Sequence, residues 1–357
     1  MRFLITGGAG FIGSALTRLL IQDTLHEVLV LDALTYAGSL STLTEVRDNG
    51  RLRFVRGDIR DGALVARLLE EYRPDAIFHL AAESHVDRSV DEPGTFLATN
   101  VEGTFVMLGA AARYHAMLAG PKKARFRFMH ISTDEVFGSL GATGEFREDT
   151  RYDPRSPYSA SKAASDHLVS AWHHTYGLPT ITTNCSNNFG PYQFPEKLIP
   201  LMIARAVAGE PLPVYGNGRN VRVWIHVEDH ARGLLAAWEH GQPGESYLFG
   251  GRAERTNIEI VHAICTALDL RAPRADGRPH SDAITHVADR PGHDARYAVD
   301  CSRAERELGW TRNGSFEEAL AETIDWYLAN DAWVRTVDRS GAATKRRGLR
   351  GMAGGRS

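Results

Sequence analysis

Residues 2–13 read Arg2-Phe3-Leu4-Ile5-Thr6-Gly7-Gly8-Ala9-Gly10-Phe11-Ile12-Gly13, and the fold follows from them. The β-branched and aromatic run at 2–6 predicts a strand, and the apolar periodicity from Phe11 to Ile21 predicts a helix. Between them glycines fall at 7, 10 and 13. A strand, a glycine turn and a helix in that order let a pyrophosphate approach backbone N–H groups at the helix N-terminus, where a Cβ would hold the phosphates away. A tight turn that binds nothing is the plainer alternative, and the flanking elements argue against it.

Further along, the apolar run Val28–Leu31 ends in Asp32, and strands are predicted at 53–56, 76–80, 126–132 and 179–184, with helices at 62–72, 95–118 and 156–176. Strands alternating with helices define an α/β fold with a doubly wound parallel sheet. Beyond residue 186, proline and glycine clusters interrupt shorter helices at 195–208, 228–239, 256–268 and 315–329. The expected organisation is a dinucleotide-binding domain over 1–186, with 221–239 open to returning to it, a smaller C-terminal substrate-binding domain over 187–334, and a tail over 335–357.

The chain has 357 residues, 43% of them hydrophobic, enough to bury a sizeable core. No apolar stretch reaches 18 residues, so no membrane span is expected. With 41 basic and 44 acidic side chains the net charge is −3, which provides no field to gather nucleic acid. From Thr336 to Ser357 there are six basic residues and one acid, Asp338. That composition predicts a disordered tail, read either as a basic arm for a polyanion or as a solvated extension. Cys185, Cys265 and Cys301 lie far apart and lack CxxC spacing, which excludes a disulfide framework and a cysteine zinc site and fits a reducing cytoplasm. The apolar run before Gly7 is too short for a signal segment, so no export is expected.

Asp32 ends the second strand some twenty residues after the glycine loop, where a carboxylate accepts hydrogen bonds from both adenosine ribose hydroxyls and repels a 2′-phosphate. NAD is therefore expected rather than NADP, with a helix N-cap as the other reading of Asp32. Asp58-Ile59 follows the next strand, as an adenine holder or as a turn residue. Tyr158 and Lys162 stand four apart in Tyr158-Ser159-Ala160-Ser161-Lys162 on a predicted helix, so both project from one face. An ammonium near a phenol lowers the phenol's pKa and makes it a usable base for a sugar hydroxyl. Ser132-Thr133, at the end of an intervening strand, completes a coherent active site.

In this order of motifs the chain resembles the extended short-chain dehydrogenase/reductase family, with its Rossmann-type sheet. Longer stretches resemble the dTDP-glucose 4,6-dehydratases within it: Ser132-Thr133-Asp134-Glu135-Val136-Phe137-Gly138, Ala82 to Ser89, Asn187 to Pro200, and Asp289 to Asp294. The likeness covers roughly residues 1 to 330. It implies oxidation of dTDP-glucose at C4, loss of water across C5–C6, and return of the hydride to C6. That elimination needs a base at C5 and an acid at the C6 oxygen, jobs that two carboxyls divide when burial and proximity keep one protonated. By resemblance Glu135 is the base at C5, Asp134 the acid, Thr133 the polariser of the 4-oxygen, and Tyr158, with Lys162, the base for the 4-hydroxyl.

The resemblance places the coenzyme against Gly7, Gly10, Phe11, Ile12, Gly13, Asp32, Thr35, Asp58, Ile59, Ala81, Ala82, Ser84 and Thr99, besides Tyr158 and Lys162. It places the nucleotide-sugar against His85, Thr133, Asn188, Lys197, Leu198, Arg222, Asn257, Arg290 and His293, with Pro213 and Tyr215 at the base. For these the bland readings are surface charge for the arginines and core packing for Tyr215. It also implies a homodimer through helices 95–118 and 156–176.

This sequence departs from the family at Arg222-Val223-Trp224-Ile225-His226, which usually carries Asp after the arginine and a tyrosine, and at Phe137, commonly Tyr. Valine lacks an aspartate's hydrogen bonds, so Arg222 is expected to be aimed differently, which opens the identity of the nucleotide. A dehydratase or 4-epimerase acting on a UDP-sugar is the alternative enzyme, and a cofactor-sensing module without turnover the alternative class. His226 and His230 have chelating spacing, but Val227-Glu228-Asp229 reads as a helix start that separates them, so no metal is expected.

Overall fold

The computed structural model describes residues 1–289 and 292–338. In chain order β1 (Arg2–Thr6), α1 (Phe11–Asp23), β2 (Glu27–Asp32), β3 (Leu52–Arg56), α2 (Gly62–Tyr72) and β4 (Ala76–His79) form the first half of the sheet layer. A broken helical run follows: α3 (Val86–Asp91), α4 (Pro93–Phe96), a π-helical stretch at Leu97–Gly103, α5 (Thr104–Met117) and α6 (Gly120–Arg125). Then come β5 (Arg127–Thr133), α7 (Pro157–Tyr176) and β6 (Thr180–Cys185). The remaining elements are β7 (Asn187–Phe189), α8 (Leu198–Val207), β8 (Leu212–Tyr215), β9 (Val221–His226), α9 (Val227–His240), β10 (Ser246–Phe249), β11 (Glu254–Thr256), α10 (Asn257–Arg271), β12 (Ile284–Val287), α11 (Ser302–Leu308), α12 (Phe316–Ala329) and α13 (Asp331–Val337).

The large sheet is parallel throughout, in the order β10-β6-β5-β4-β1-β2-β3. Leu4 of β1 pairs with Leu29 on one side and Ile77 on the other, so the strand order reverses at β1. Alternate residues serve opposite faces. Phe3, Ile5, Val30 and Phe78 join a core with α1 and α9, whereas Leu4, Leu29 and Ile77 join one with α2 and α5. A third core, built on Phe189, Ile203, Trp224, Ile264 and Ile324, holds the smaller layer together.

Local chemistry sets the element ends. Ser156 with Ser159, Thr256 with Glu259 and Ser315 with Glu318 form reciprocal capping boxes at the starts of α7, α10 and α12. Gly177 ends α7 in the left-handed conformation.

The first of the next two features is hidden in the sequence, and the second, a return of 221–239 to the first layer, is one the sequence leaves open. The helix read as 95–118 is interrupted by the π-helical stretch, which a periodicity near 3.6 does not reveal. The short strand β10 returns beside β6 as the edge of the large sheet, while β9 pairs with β7 and β11 in a small three-stranded sheet and α9 packs on α1. The segment from 221 to 249 therefore serves both layers. Residues 339–357, most of the basic tail, lie outside the described residues. Among the described residues no helix is long and apolar enough to cross a membrane.

Candidate active site

A cleft of about 400 Å³ opens over the C-terminal ends of the strands around β1, where ligands bind in open α/β sheets. The glycine loop forms one wall. Gly7 has φ +72°, and a Cβ on it would lie 2.6 Å from the Ala81 nitrogen. A Cβ on Gly13 would collide with the Gly7 carbonyl. Gly10 caps α1 with no side chain over the helix N-terminus, so its amides face the cleft. This cradle fits a dinucleotide pyrophosphate.

Asp32 is not a helix N-cap. Its Oδ2 accepts from the Ala9 amide at 2.9 Å and its Oδ1 from the Leu34 amide at 2.8 Å, joining the loop to the turn after β2. A Cβ on Gly38 would come 2.9 Å from Asp32 Oδ1, so that glycine keeps the carboxylate open. Asp58 is engaged by Arg60 at 2.6 Å, a turn residue that also lines the cleft. Every position expected to hold the coenzyme lies on the cleft wall.

Thr133, Asp134, Glu135, Tyr158 and Lys162 meet at the inner end. The Thr133 hydroxyl accepts from the Glu135 amide at 3.3 Å and donates to Asp134 Oδ1 at 3.4 Å. Asp134 is buried, and its Oδ2 makes no hydrogen bond among the described residues. Burial, followed by the Glu135 charge, pushes its carboxyl up to about 8, against a lowering by Arg222. One carboxyl of the pair is thus kept protonated at neutral pH.

The expectation that Lys162 lowers the Tyr158 pKa is not met by the chain alone. Burial, then the Glu135 charge, holds that phenol well above its ordinary value. The Lys162 ammonium donates to the Ile131 carbonyl at 2.8 Å, and burial lowers its own pKa.

The sugar-end candidates divide. Asn188 and Lys197 line the cleft. Asn188 is locked by His230 Nδ1 at 2.9 Å, with its amide nitrogen donating to the Ser186 carbonyl, and Lys197 Nζ donates to the Ser84 carbonyl at 3.0 Å. His85, Leu198, Pro213, Tyr215, Arg222, Asn257 and His293 stand outside that wall. His85 caps α3 and lies 3.6 Å from Glu196, Leu198 opens α8, and Asn257 opens α10. On β8, next to Pro213, the Tyr215 hydroxyl donates to Asp87 at 2.8 Å, and its ring meets His293 edge-on at 6.2 Å. Arg290 lies outside the described residues.

Arg222 is aimed without a carboxylate at 223. Its guanidinium donates to the carbonyls of Val221 and Asp294, at 2.7 and 2.9 Å, and stacks on the Tyr297 ring at 4.1 Å. Val223 is buried near Gly250. His226 ends β9 and His230 lies inside α9, fully buried. Among the described residues no group of three His, Cys, Asp or Glu could hold a metal ion.

Sequence reasoning missed three contributors. Asn100, in the π-helical stretch, exchanges two hydrogen bonds with the Glu83 backbone and reaches Ser161 Oγ at 2.9 Å. Glu196, inside the Asn187–Pro200 motif, is buried at the cleft against Arg88 at 3.3 Å, whose guanidinium lies 3.5 Å from the Tyr36 ring centre. Cys185 lines the cleft beside Ser132, its thiol pushed up to about 12 by burial. Only Glu196 lay in a recognisable motif; the others depend on packing.

A parallel doubly wound sheet, a phosphate cradle and a Tyr-Lys pair beside two carboxyls define a dinucleotide-dependent enzyme of the short-chain dehydrogenase/reductase type. The family described as GDP-mannose 4,6 dehydratase matches residues 4–323, and the chain belongs to it. It is 56% identical over 335 residues to a dTDP-glucose 4,6-dehydratase of Xanthomonas campestris pv. campestris, covering 94% of this chain and 95% of that one. It is 52% identical over 351 residues to the dTDP-glucose 4,6-dehydratase of Salmonella typhimurium, covering 96% of each. The structure of the dTDP-glucose 4,6-dehydratase DesIV of Streptomyces venezuelae, solved with NAD bound, superposes with a TM-score of 0.86 at 45% identity, covering 94% of this chain and all of that one.

Proposed function

We propose that the protein is an NAD-dependent hydro-lyase that converts dTDP-glucose to dTDP-4-keto-6-deoxyglucose for deoxysugar assembly. The observation that carries the chemistry is the buried Asp134 carboxyl, pushed up to about 8 beside Glu135 and Tyr158. Bound NAD supplies the acceptor that takes the C4 hydride and returns it to C6, and its oxidised ring is cationic. The glycine cradle fits its pyrophosphate, Asp32 disfavours a 2′-phosphate, and the buried Ser186 Oγ and Gln193 Oε1 on the cleft wall lack partners among the described residues.

Tyr158 takes the proton of the 4-hydroxyl, and Thr133 donates to the 4-oxygen. Because burial and the Glu135 charge hold the phenol's proton on, Tyr158 becomes a base only with positive charge in the cleft, to which Lys162 contributes. With a ketone at C4, the C5 proton is acidified and Glu135 removes it. Asp134, protonated at neutral pH, gives its proton to the C6 hydroxyl, which leaves as water, and Glu135, after exchange with solvent, returns a proton to C5 as hydride reaches C6. A 4-epimerase needs neither of these two carboxyl roles.

Residues 1–186 are proposed to hold the coenzyme and 187–334 the nucleotide-sugar, with β10 belonging to the first layer. A homodimer is proposed through the helical run of 93–117 and α7, whose outward faces carry Leu97, Phe105 and Tyr176. The setting is proposed to be cytoplasmic.

The test is parallel incubation with dTDP-glucose and UDP-glucose in deuterated water. A 4-keto chromophore in alkali and deuterium at C5, from dTDP-glucose, are the expected results. Turnover of neither sugar overturns the assignment, and inversion at C4 without a ketone replaces it with an epimerase.

A further inference from the structure

The mechanism above leaves unused a buried carboxylate on the helix that carries Tyr158 and Lys162. Asp166 stands four residues after Lys162 and eight after Tyr158 on α7, so all three share a face of that helix. Its side chain is 3% exposed. Oδ2 accepts from Ser132 Oγ at 2.8 Å, from the Tyr152 hydroxyl at 3.0 Å and from Asn184 Nδ2 at 3.4 Å, and Oδ1 accepts from His130 Nε2 at 2.9 Å. Asn184 Nδ2 also donates to the Thr133 carbonyl at 3.0 Å. The end of β5, the end of β6 and the loop before α7 thus converge on one carboxylate.

We propose that Asp166 is a positioning residue for the dehydration: it fixes the strand end bearing Thr133 against the helix bearing Tyr158 and Lys162, and it supplies the negative charge that faces Lys162. The proposal rests on the dehydratase reading.

The charge is the informative part. Four neutral donors could be satisfied by a neutral acceptor, and burying a carboxylate among them is costly unless a cation compensates it. His130 is not that cation. Burial and Lys162 lower its pKa, and its Nδ1 has no partner among the described residues, so the ring is neutral with Nε2–H donating to Asp166. His79, packed on His130, is likewise held neutral by burial. Around Lys162, the Tyr152 and Tyr158 phenols and the Cys185 thiol are protonated, their pKa values raised by burial, and Asp134 is mostly so. Of the two carboxylates left charged, Glu135 acts on Tyr158 and Asp134, and Asp166 is the one that acts on Lys162, opposing the lowering of the lysine's pKa by burial. A lysine kept charged beneath the cleft is what Tyr158 requires to lose its proton.

The sign of the test follows. Lys162 acts as a cation, so activity is lost as pH rises through its pKa; removing the Asp166 charge lowers that pKa and moves the loss to lower pH. Asp166→Asn is expected to cut kcat about tenfold or more, leave the KM for dTDP-glucose within about threefold, and move the alkaline limb of single-turnover reduction of bound NAD, a step that precedes the proton transfer from Asp134, down by about one pH unit. Ser132→Ala and Tyr152→Phe each remove a donor and keep the charge, so kcat falls about two- to fivefold with the alkaline limb in place. An alkaline limb that stays put in Asp166→Asn, or an unchanged kcat, overturns the proposal. Far-UV circular dichroism checks folding. Should Asp166→Asn fail to fold, the Ser132→Ala/Tyr152→Phe double variant decides, and an unchanged kcat there overturns the proposal too. Wild-type turnover in the same assay separates the two readings: an inactive wild type removes the dehydratase assignment, whereas an active wild type beside an indifferent Asp166→Asn removes only this one.

Discussion

The end of the cleft proposed for the coenzyme and the region beside the cleft proposed for the sugar are built on different plans. At the coenzyme end Gly7 to Gly13 and Asp32 work through backbone shape, and the critical feature is the absence of atoms, where a Cβ would meet Ala81 or the Gly7 carbonyl. At the sugar end the critical features are side chains brought together over long distances in sequence. Tyr215 meets Asp87 across 128 residues, and Arg222 meets the Asp294 carbonyl across 72. The proposed catalytic group sits between, on the ends of β5 and α7. The difference teaches that the first region fails when atoms are added and the second when they are removed.

The sharpest test lies at the junction. Tyr158→Phe, which keeps the ring and removes the proton carrier, is expected to lower kcat by about 10²–10⁴-fold with little change in coenzyme affinity. A steady-state assay paired with an NAD titration checks it, and a loss of NAD binding instead would merge the junction with the coenzyme end.

Asp134→Asn sharpens the same point through pH. It is expected to slow elimination about 10²-fold. The folded-state pKa of Asp134 is raised above its unfolded value, so the protonated acid is favoured by folding and the native protein loses stability as pH rises toward about 8. Asparagine does not titrate. The variant should therefore gain melting temperature relative to the wild type as pH increases from 5 to 9, by about 2 °C or more. A pH-independent difference between the two proteins would contradict the buried, neutral acid.

At the coenzyme end, Gly13→Ala adds one methyl where the Gly7 carbonyl already sits. Overpacking costs about 1–3 kcal/mol, which as lost binding is about 10–100-fold in NAD affinity. Isothermal titration measures it, and unaltered affinity would break the claim that this region depends on missing atoms. The smallest effect belongs to the link between the regions. Lys197→Met removes the hydrogen bond to Ser84 and a cation on the cleft wall, and is expected to raise the KM for dTDP-glucose about three- to tenfold with kcat retained.

The same contrast explains what could be read in advance. Strand, glycine loop and helix are neighbours in the chain, and their spacing carries their geometry, so 2–13 and the acidic strand end at Asp32 were legible residue by residue. Tyr158 and Lys162 were legible as a pair because helical spacing alone puts them on one face. Their electrostatics were not, because burial raises the phenol's pKa and points the ammonium at Ile131. Asn100 was hidden because its π-helical stretch lies within an otherwise regular periodicity. Val223 looked like a loss when read as a missing carboxylate, yet two main-chain carbonyls aim Arg222 instead, and no side-chain pattern announces a carbonyl.

The sequence by itself determined the parallel α/β plan, the glycine cradle and the acidic strand end at Asp32, and it supplied the side chains proposed to react, since each rests on residue type and short spacing. Only the tertiary structure decided which carboxyl holds its proton, what faces Lys162, and how Arg222 is held. Proton affinity and aim are set by desolvation and by groups distant in the chain, and both come into being only when the layers close on one another.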